Sequence, residues 1–342
     1  MVIVDAQVLP RRRMPVKAAG LGVAVLLGLV ATAAGAQVPV IGAPVLAVVG
    51  GVLLSPLVRP RAVALEPGLG VAKGVLLQLS VVLLGAQLSL GQVLSAGAES
   101  LPVMVGTLGV CLLLAWLVGR RLGVSRDLRT LIGVGTGICG ASAIAATTPA
   151  IRAKSDDVAY AISTIFLFNV AAVLVFPPLG HALGLSQQAF GLFAGTAVND
   201  TSSVVAAAGA YGQEAAQYAV VVKLARTLMI IPVVLFLTAL TRRREGRPAE
   251  AKPRAALSLV PWFLVAFLAV AAAHTAGLIP AAAQSGLHQV AMVLIAVALA
   301  AVGLSTDVAA LRRAGGRPLL LGLVLWVAVT VTSLGLQYLT TR

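Results

Sequence analysis

The sequence predicts an all-α polytopic membrane protein with about nine to eleven transmembrane segments, inverted repeats and two broken or re-entrant helical elements. Three observations lead there. Hydrophobic residues make up 59% of the chain and charged residues only 11%, whereas a soluble domain carries about a quarter charged. Apolar runs of about 18 to 25 residues, enough to cross a hydrocarbon core of about 30 Å, recur from Ala18 onward. The chain also resembles itself at two offsets, in stretches where glycine and small polar residues interrupt the apolar pattern.

In chain order the apolar segments are expected at 18–35, 38–58, 70–97, 101–119, 130–150, 157–179, 187–210, 214–241, 257–277, 286–308 and 317–339. Residues 1–17 form a cytoplasmic N-terminal tail and 18–342 a single transmembrane domain, with a basic cytoplasmic loop at 241–256. Arg11, Arg12, Arg13 and Lys17 before the first run resemble the charged start of a signal peptide. No small-residue cleavage site followed by a soluble domain is evident, so the first run reads as a retained helix.

The formal charge of +14 raises nucleic acid as a partner, but the basic residues are scattered through short loops instead of gathered on one face. Topology accounts for them better. If 130–150 and 187–210 turn back instead of crossing, 22 of the 25 lysines and arginines face the cytoplasm or its interface. Lys223 and Arg226 then lie within the membrane and Arg342 alone lies outside. That arrangement places the N-terminus in the cytoplasm of a bacterial cell, with the chain in its inner membrane.

Those two elements carry GVGTGICGAS and GTAVNDTSS, whose small and polar residues expose backbone that needs protein or water around it. Close helix packing through small residues is the competing reading. At an offset of 60, Gly135, Thr136, Ser142 and Ala146 meet Gly195, Thr196, Ser202 and Ala206. At an offset of 216, Ser89, Pro102, Gly106 and Gly119 meet Ser305, Pro318, Gly322 and Gly335. With two re-entrant elements both pairs have opposite orientation, which places a site near the membrane midplane where broken helices meet.

Lys223 and Arg226 fall about 14–18 Å along their helix, near mid-membrane, and their i, i+3 spacing puts them on one face. Each costs about 2.5–3.5 kcal/mol there, so compensation is required. Asp200 is the acidic residue expected at that depth, and it can neutralise one cation, leaving one positive charge. Backbone N–H groups at helix starts within 135–142 and 195–203, with Thr136, Ser142, Asn199, Thr201, Ser202 and Ser203, complete a site suited to a small anionic substrate. Asn169 is expected to line the same cavity or to make an interhelical hydrogen bond; Gln78 and Gln87 are weaker candidates. The bland alternative is a structural ion-pair cluster completed by carbonyls and water.

The blocks ICGASAIAA, AVNDTSSVVAA and VVKLARTLM resemble the YeiH-type bacterial inner-membrane family, which carries a sulfate-exporter label, and the likeness spans about residues 70–340. The resemblance implies the inverted repeats and broken helices of the bile-acid and arsenite carriers with which that family is grouped. It assigns no catalytic residue.

No nucleotide-binding motif is present, so coupling would come from ion gradients or voltage. The leading expectation is a secondary transporter, an exporter of a small anion such as sulfate or a related oxyanion or sulfonate. The alternative is a cation/proton antiporter-like carrier in which Asp200 titrates. Paired carboxylates, a metal-ligand set and a Ser–His–Asp arrangement are all lacking, which argues against an enzyme. Cys111 and Cys139 are read as packing residues, and no cofactor is implied. A coupling ion (H+ or Na+), membrane lipids and a homodimer are compatible partners.

Overall fold

A computed structural model describes residues 14–37, 42–244, 261–306 and 316–340. The tail before Met14, the loop residues 245–256 and the ends of several expected segments lie outside the described residues. Among the described residues every regular element is helical, and seven helices are long and apolar enough to cross a membrane.

Helix α1 spans Met14–Gln37 and α2 spans Gly42–Val58. Next, α3 (Ala62–Val71) passes through a π-helical turn, Ala72–Leu76, into α4 (Leu77–Leu84). The 32-residue α5 runs Leu90–Arg121. Here the sequence expectation needs correction, because the break anticipated near 98–100 falls at Leu88–Ser89 and Pro102 lies inside α5. Ser89 supplies the reason: its Oγ accepts from Gln92 N and the Gln92 side chain accepts from Ser89 N, a capping box that fixes the helix start.

Two broken pairs follow. Helices α6 (Arg126–Gly137) and α7 (Ala141–Ile151) are separated by residues 138–140 and lead into α8 (Ser155–Ala182). Helices α9 (Gln187–Ala197) and α10 (Thr201–Tyr211) are separated by residues 198–200 and lead into α11 (Gln213–Thr227) and α12 (Ile230–Arg244). The single segment expected at 214–241 is found as one apolar span, Gln213–Thr241, interrupted by a turn near residue 228. Pro232 cannot donate to the carbonyl four residues earlier, and Met229 N and Ile231 N bond only three residues back, to Arg226 O and Leu228 O. The chain ends with α13 (Trp262–Thr275), α14 (Ala281–Leu304) and α15 (Gly316–Thr340).

Each broken pair is a hairpin that returns to the end it started from. Ser125 Oγ, before α6, donates to the Asp157 carboxylate at the start of α8, 3.4 Å away. Tyr211, closing α10, donates from Oη to Leu185 O and stacks on Phe190 with ring centroids 3.9 Å apart. The first hairpin opens at the end where α5 and α12 terminate in Arg120, Arg121, Arg243 and Arg244, the basic end. The second opens at the opposite end, where Gln87 joins Gln213, Gln217 and His288 and where Leu90 N bonds Thr275 Oγ1.

The element boundaries carry the offset seen in sequence. Adding 60 to the starts of α6, α7 and α8 gives 186, 201 and 215; α9, α10 and α11 start at 187, 201 and 213. Packing follows the second offset as well. Helix α2 lies on α14, its counterpart α13 lies on α4, and α5 lies on α15. The α2–α14 contact is close because Gly51 and Gly303 face each other, and a β-carbon on either would strike the other helix's backbone.

Candidate functional site at the hairpin tips

The two unwound tips meet. Gly140 adopts φ +68°, ψ −131°, a region that L-residues rarely enter, and it starts α7 without a side-chain cap. A β-carbon there would sit 3.2 Å from the Asp200 Cβ of the other tip. Val198 and Asp200 are extended, and Asp200 caps α10, its Oδ1 accepting from Ser203 N at 2.6 Å.

Breaking a helix leaves carbonyls without partners at the end of its first half. Lys223 and Arg226, both fully buried on α11, satisfy them. Lys223 Nζ donates to Ile138 O and Val198 O, each at 2.8 Å, so it bridges the two tips. Arg226 Nε donates to Gly137 O at 2.8 Å and Nη1 donates to Thr196 O. Both cations thus sit where two helix macrodipoles point their negative ends. The shared face expected from i, i+3 spacing is realised, toward backbone that side-chain identities alone do not reveal.

No direct ion pair joins Asp200 to either cation; Lys73 pairs with Glu66 at 2.6 Å, away from the tips. Asp200 Oδ2 instead accepts from Asn169 Nδ2 at 2.6 Å. Asn169 Oδ1 accepts from Asn199 N at 3.1 Å, so this α8 residue holds the second tip from both sides. Asn169 therefore makes hydrogen bonds to the second tip.

The remaining candidates divide by exposure. Thr136 and Ser203 are buried, Thr201 and Ser202 are half-buried, and Ser142 is exposed at the first turn of α7. Gln78 and Gln87 lie away from the tips: Gln78 accepts from Trp262 Nε1, and Gln87 belongs to the amide cluster at the opposite end. Thr196, not singled out in sequence beyond its repeat match, shares a 2.6 Å hydrogen bond with Ser333 that ties the second hairpin to α15. Among the described residues no group of three or more His, Cys, Asp or Glu could hold a metal. Cys111 and Cys139 are buried free thiols.

Two buried polar atoms at the tips have no hydrogen-bond partner, Arg226 Nη2 and Asn199 Oδ1, as does Thr147 Oγ1 farther along α7. Buried polar groups are nearly always paired, so such exceptions call for a reason. The guanidinium is the strongest of them, a charged donor with one arm free.

Many apolar helices, two broken hairpins and ionisable groups held at their meeting point define a polytopic helical membrane protein. The chain belongs to the UPF0324 membrane protein family, the YeiH-like group its motifs resemble; the family model described as "Conserved hypothetical protein 698" matches residues 18–322. It is 42% identical to a UPF0324 membrane protein of Streptococcus pneumoniae over 326 residues, covering 94% of this chain and 96% of that one. It is 41% identical to one of Streptococcus pyogenes, covering 95% and 97%. A third, from Fusobacterium nucleatum, is 38% identical, covering 91% and 95%. No solved structure matches the chain.

Proposed function

We propose that the protein is a secondary transporter of a small anion, an oxyanion or sulfonate of the sulfate type, and that the anion binds at the hairpin tips. The observation that carries this reading is Arg226 Nη2, a buried cationic donor left without a partner. Charge supports it. Two cations and roughly one positive unit from two helix N-termini oppose Asp200 and roughly one negative unit from two helix C-termini, leaving about one positive charge. The other candidates have supporting parts: Lys223 holds the tips together, Asp200, Asn199 and Asn169 shape the second tip, and Thr136, Ser142, Thr201, Ser202 and Ser203 offer neutral donors near two helix starts.

The architecture favours transport. Hairpins entering from opposite ends and meeting at mid-depth, with element spacing repeated at 60 residues, match the inverted-repeat plan on which alternating access works. Under the positive-inside rule the basic end is read as cytoplasmic, which supports the reading of a bacterial inner-membrane protein with its N-terminus inside. Arg226 is fully buried, so in this reading the tips are occluded and part to admit the anion. The proton-coupled alternative is weaker, because both Asp200 oxygens are engaged in holding the second tip, by Asn169 Nδ2 and Ser203 N.

Thermal unfolding of the purified protein with sulfate, sulfite, thiosulfate, taurine and small carboxylates tests the reading. At least one oxyanion should stabilise wild type in a saturable way, and Arg226→Gln should abolish that shift while remaining monodisperse. Arg226→Lys should rescue it only in part, since the planar fork is lost. Stabilisation by no anion, or an unchanged shift in Arg226→Gln, would show the cations to be structural.

A further inference from the structure

A cavity of about 830 Å³ lies between α5, α6, α7 and α12 near the basic end, and neither Lys223 nor Arg226 lines it. Its deep part is apolar, formed by Leu108, Leu112 and Val134 with Pro232 and Val233 on the opposite wall. Its shallow part carries Arg126, Arg129 and Arg244, offset by Asp127. Between these levels Trp116 and Phe236 are 52% and 66% exposed, so the cavity opens sideways between helices as well as toward the basic end.

We propose that this groove holds one anionic phospholipid, its phosphate on the arginines and its acyl chains along the apolar wall. The groove is complementary to such a lipid in charge and polarity along one axis. An excess of two positive charges lies at the basic helix ends, and an apolar wall extends inward from it. A free inorganic anion would leave that wall unmatched. A zwitterionic lipid would match the wall but not the net charge. Occupancy would fill the space beside the first hairpin, next to the buried cluster that Leu108, Val134, Ile230 and Val234 form. The inference is independent of the transport reading, since none of its residues belongs to the tips.

The test uses the full chain, purified and delipidated in detergent. Dilauroyl phosphatidylglycerol should raise the unfolding temperature by several degrees, while dilauroyl phosphatidylcholine and sodium phosphate should each give less than about a third of that shift. The double variant Arg126→Gln, Arg244→Gln should lose at least about half of the phosphatidylglycerol shift with its lipid-free unfolding temperature unchanged. Native mass spectrometry of wild type supplies a readout that needs no variant: one phosphatidylglycerol should stay bound per chain under conditions that strip phosphatidylcholine. Equal stabilisation by the two lipids would overturn the proposal, as would a full shift from phosphate alone. So would a groove protected only in a dimeric species, which would mean that a second copy fills it.

Discussion

Lys223 shows how residue chemistry and backbone geometry divide the work. Its depth and charge are legible in the sequence, because a cation in the middle of VVKLARTLM must find compensation. Its partners are not legible, because Ile138 O and Val198 O are main-chain atoms whose availability depends on where two helices stop. Asp200 illustrates the same limit: the sequence points to the nearest opposite charge, while the unwound tip makes it a helix cap bonded to Asn169. Lys223→Met should destabilise the fold by about 1–3 kcal/mol for each carbonyl left unpaired. Thermal unfolding should therefore show a larger loss than for Met substitution at an exposed lysine such as Lys154. Asp200→Asn keeps the size of the cap and removes a negative charge from the site; it should raise anion affinity while the pH profile of transport stays as in wild type. A profile flattened by that change, with binding retained, would instead make Asp200 the titrating group.

At the scale of elements, the hairpins were readable because glycine and small polar residues cluster where a continuous membrane helix has no use for them, in GVGTGICGAS and GTAVNDTSS. The start of α5 and the break between α11 and α12 were not. The first depends on a reciprocal cap three residues long, the second on a proline whose effect appears one turn earlier. Gly140 and Gly184 provide an element-level test, since both have positive φ, +68° and +61°. Alanine at Gly184 meets nothing within 4 Å and should cost only the backbone preference, about 1–2 kcal/mol. Alanine at Gly140 meets Asp200 Cβ at 3.2 Å as well, so it should unfold at a lower temperature and lose anion-induced stabilisation. Equal effects of the two substitutions would mean that the tips are not in contact.

Across the whole molecule, two sequence offsets reappear as element spacing and as reciprocal packing of α2 on α14 and α13 on α4. The count of crossings depends on whether each broken element returns, which hydropathy does not encode because both halves of a hairpin are as apolar as a crossing. Single cysteines at Ala153→Cys and Leu183→Cys, in a background lacking Cys111 and Cys139, should label from opposite faces, with residue 153 accessible from the cytoplasm. Periplasmic labelling at 153 would restore a full crossing. The central claim is that an anion moves through the Arg226 site, and charge movement in proteoliposomes measures it most directly. Moving a dianion outward across an interior-negative membrane gains about 4.6 kcal/mol per 100 mV. A sulfate-type anion gradient should therefore drive a transient current carried by negative charge in wild type, absent in Arg226→Gln and partly restored in Arg226→Lys. A current unchanged in Arg226→Gln, or one that follows a proton gradient and disappears in Asp200→Asn, would contradict the account.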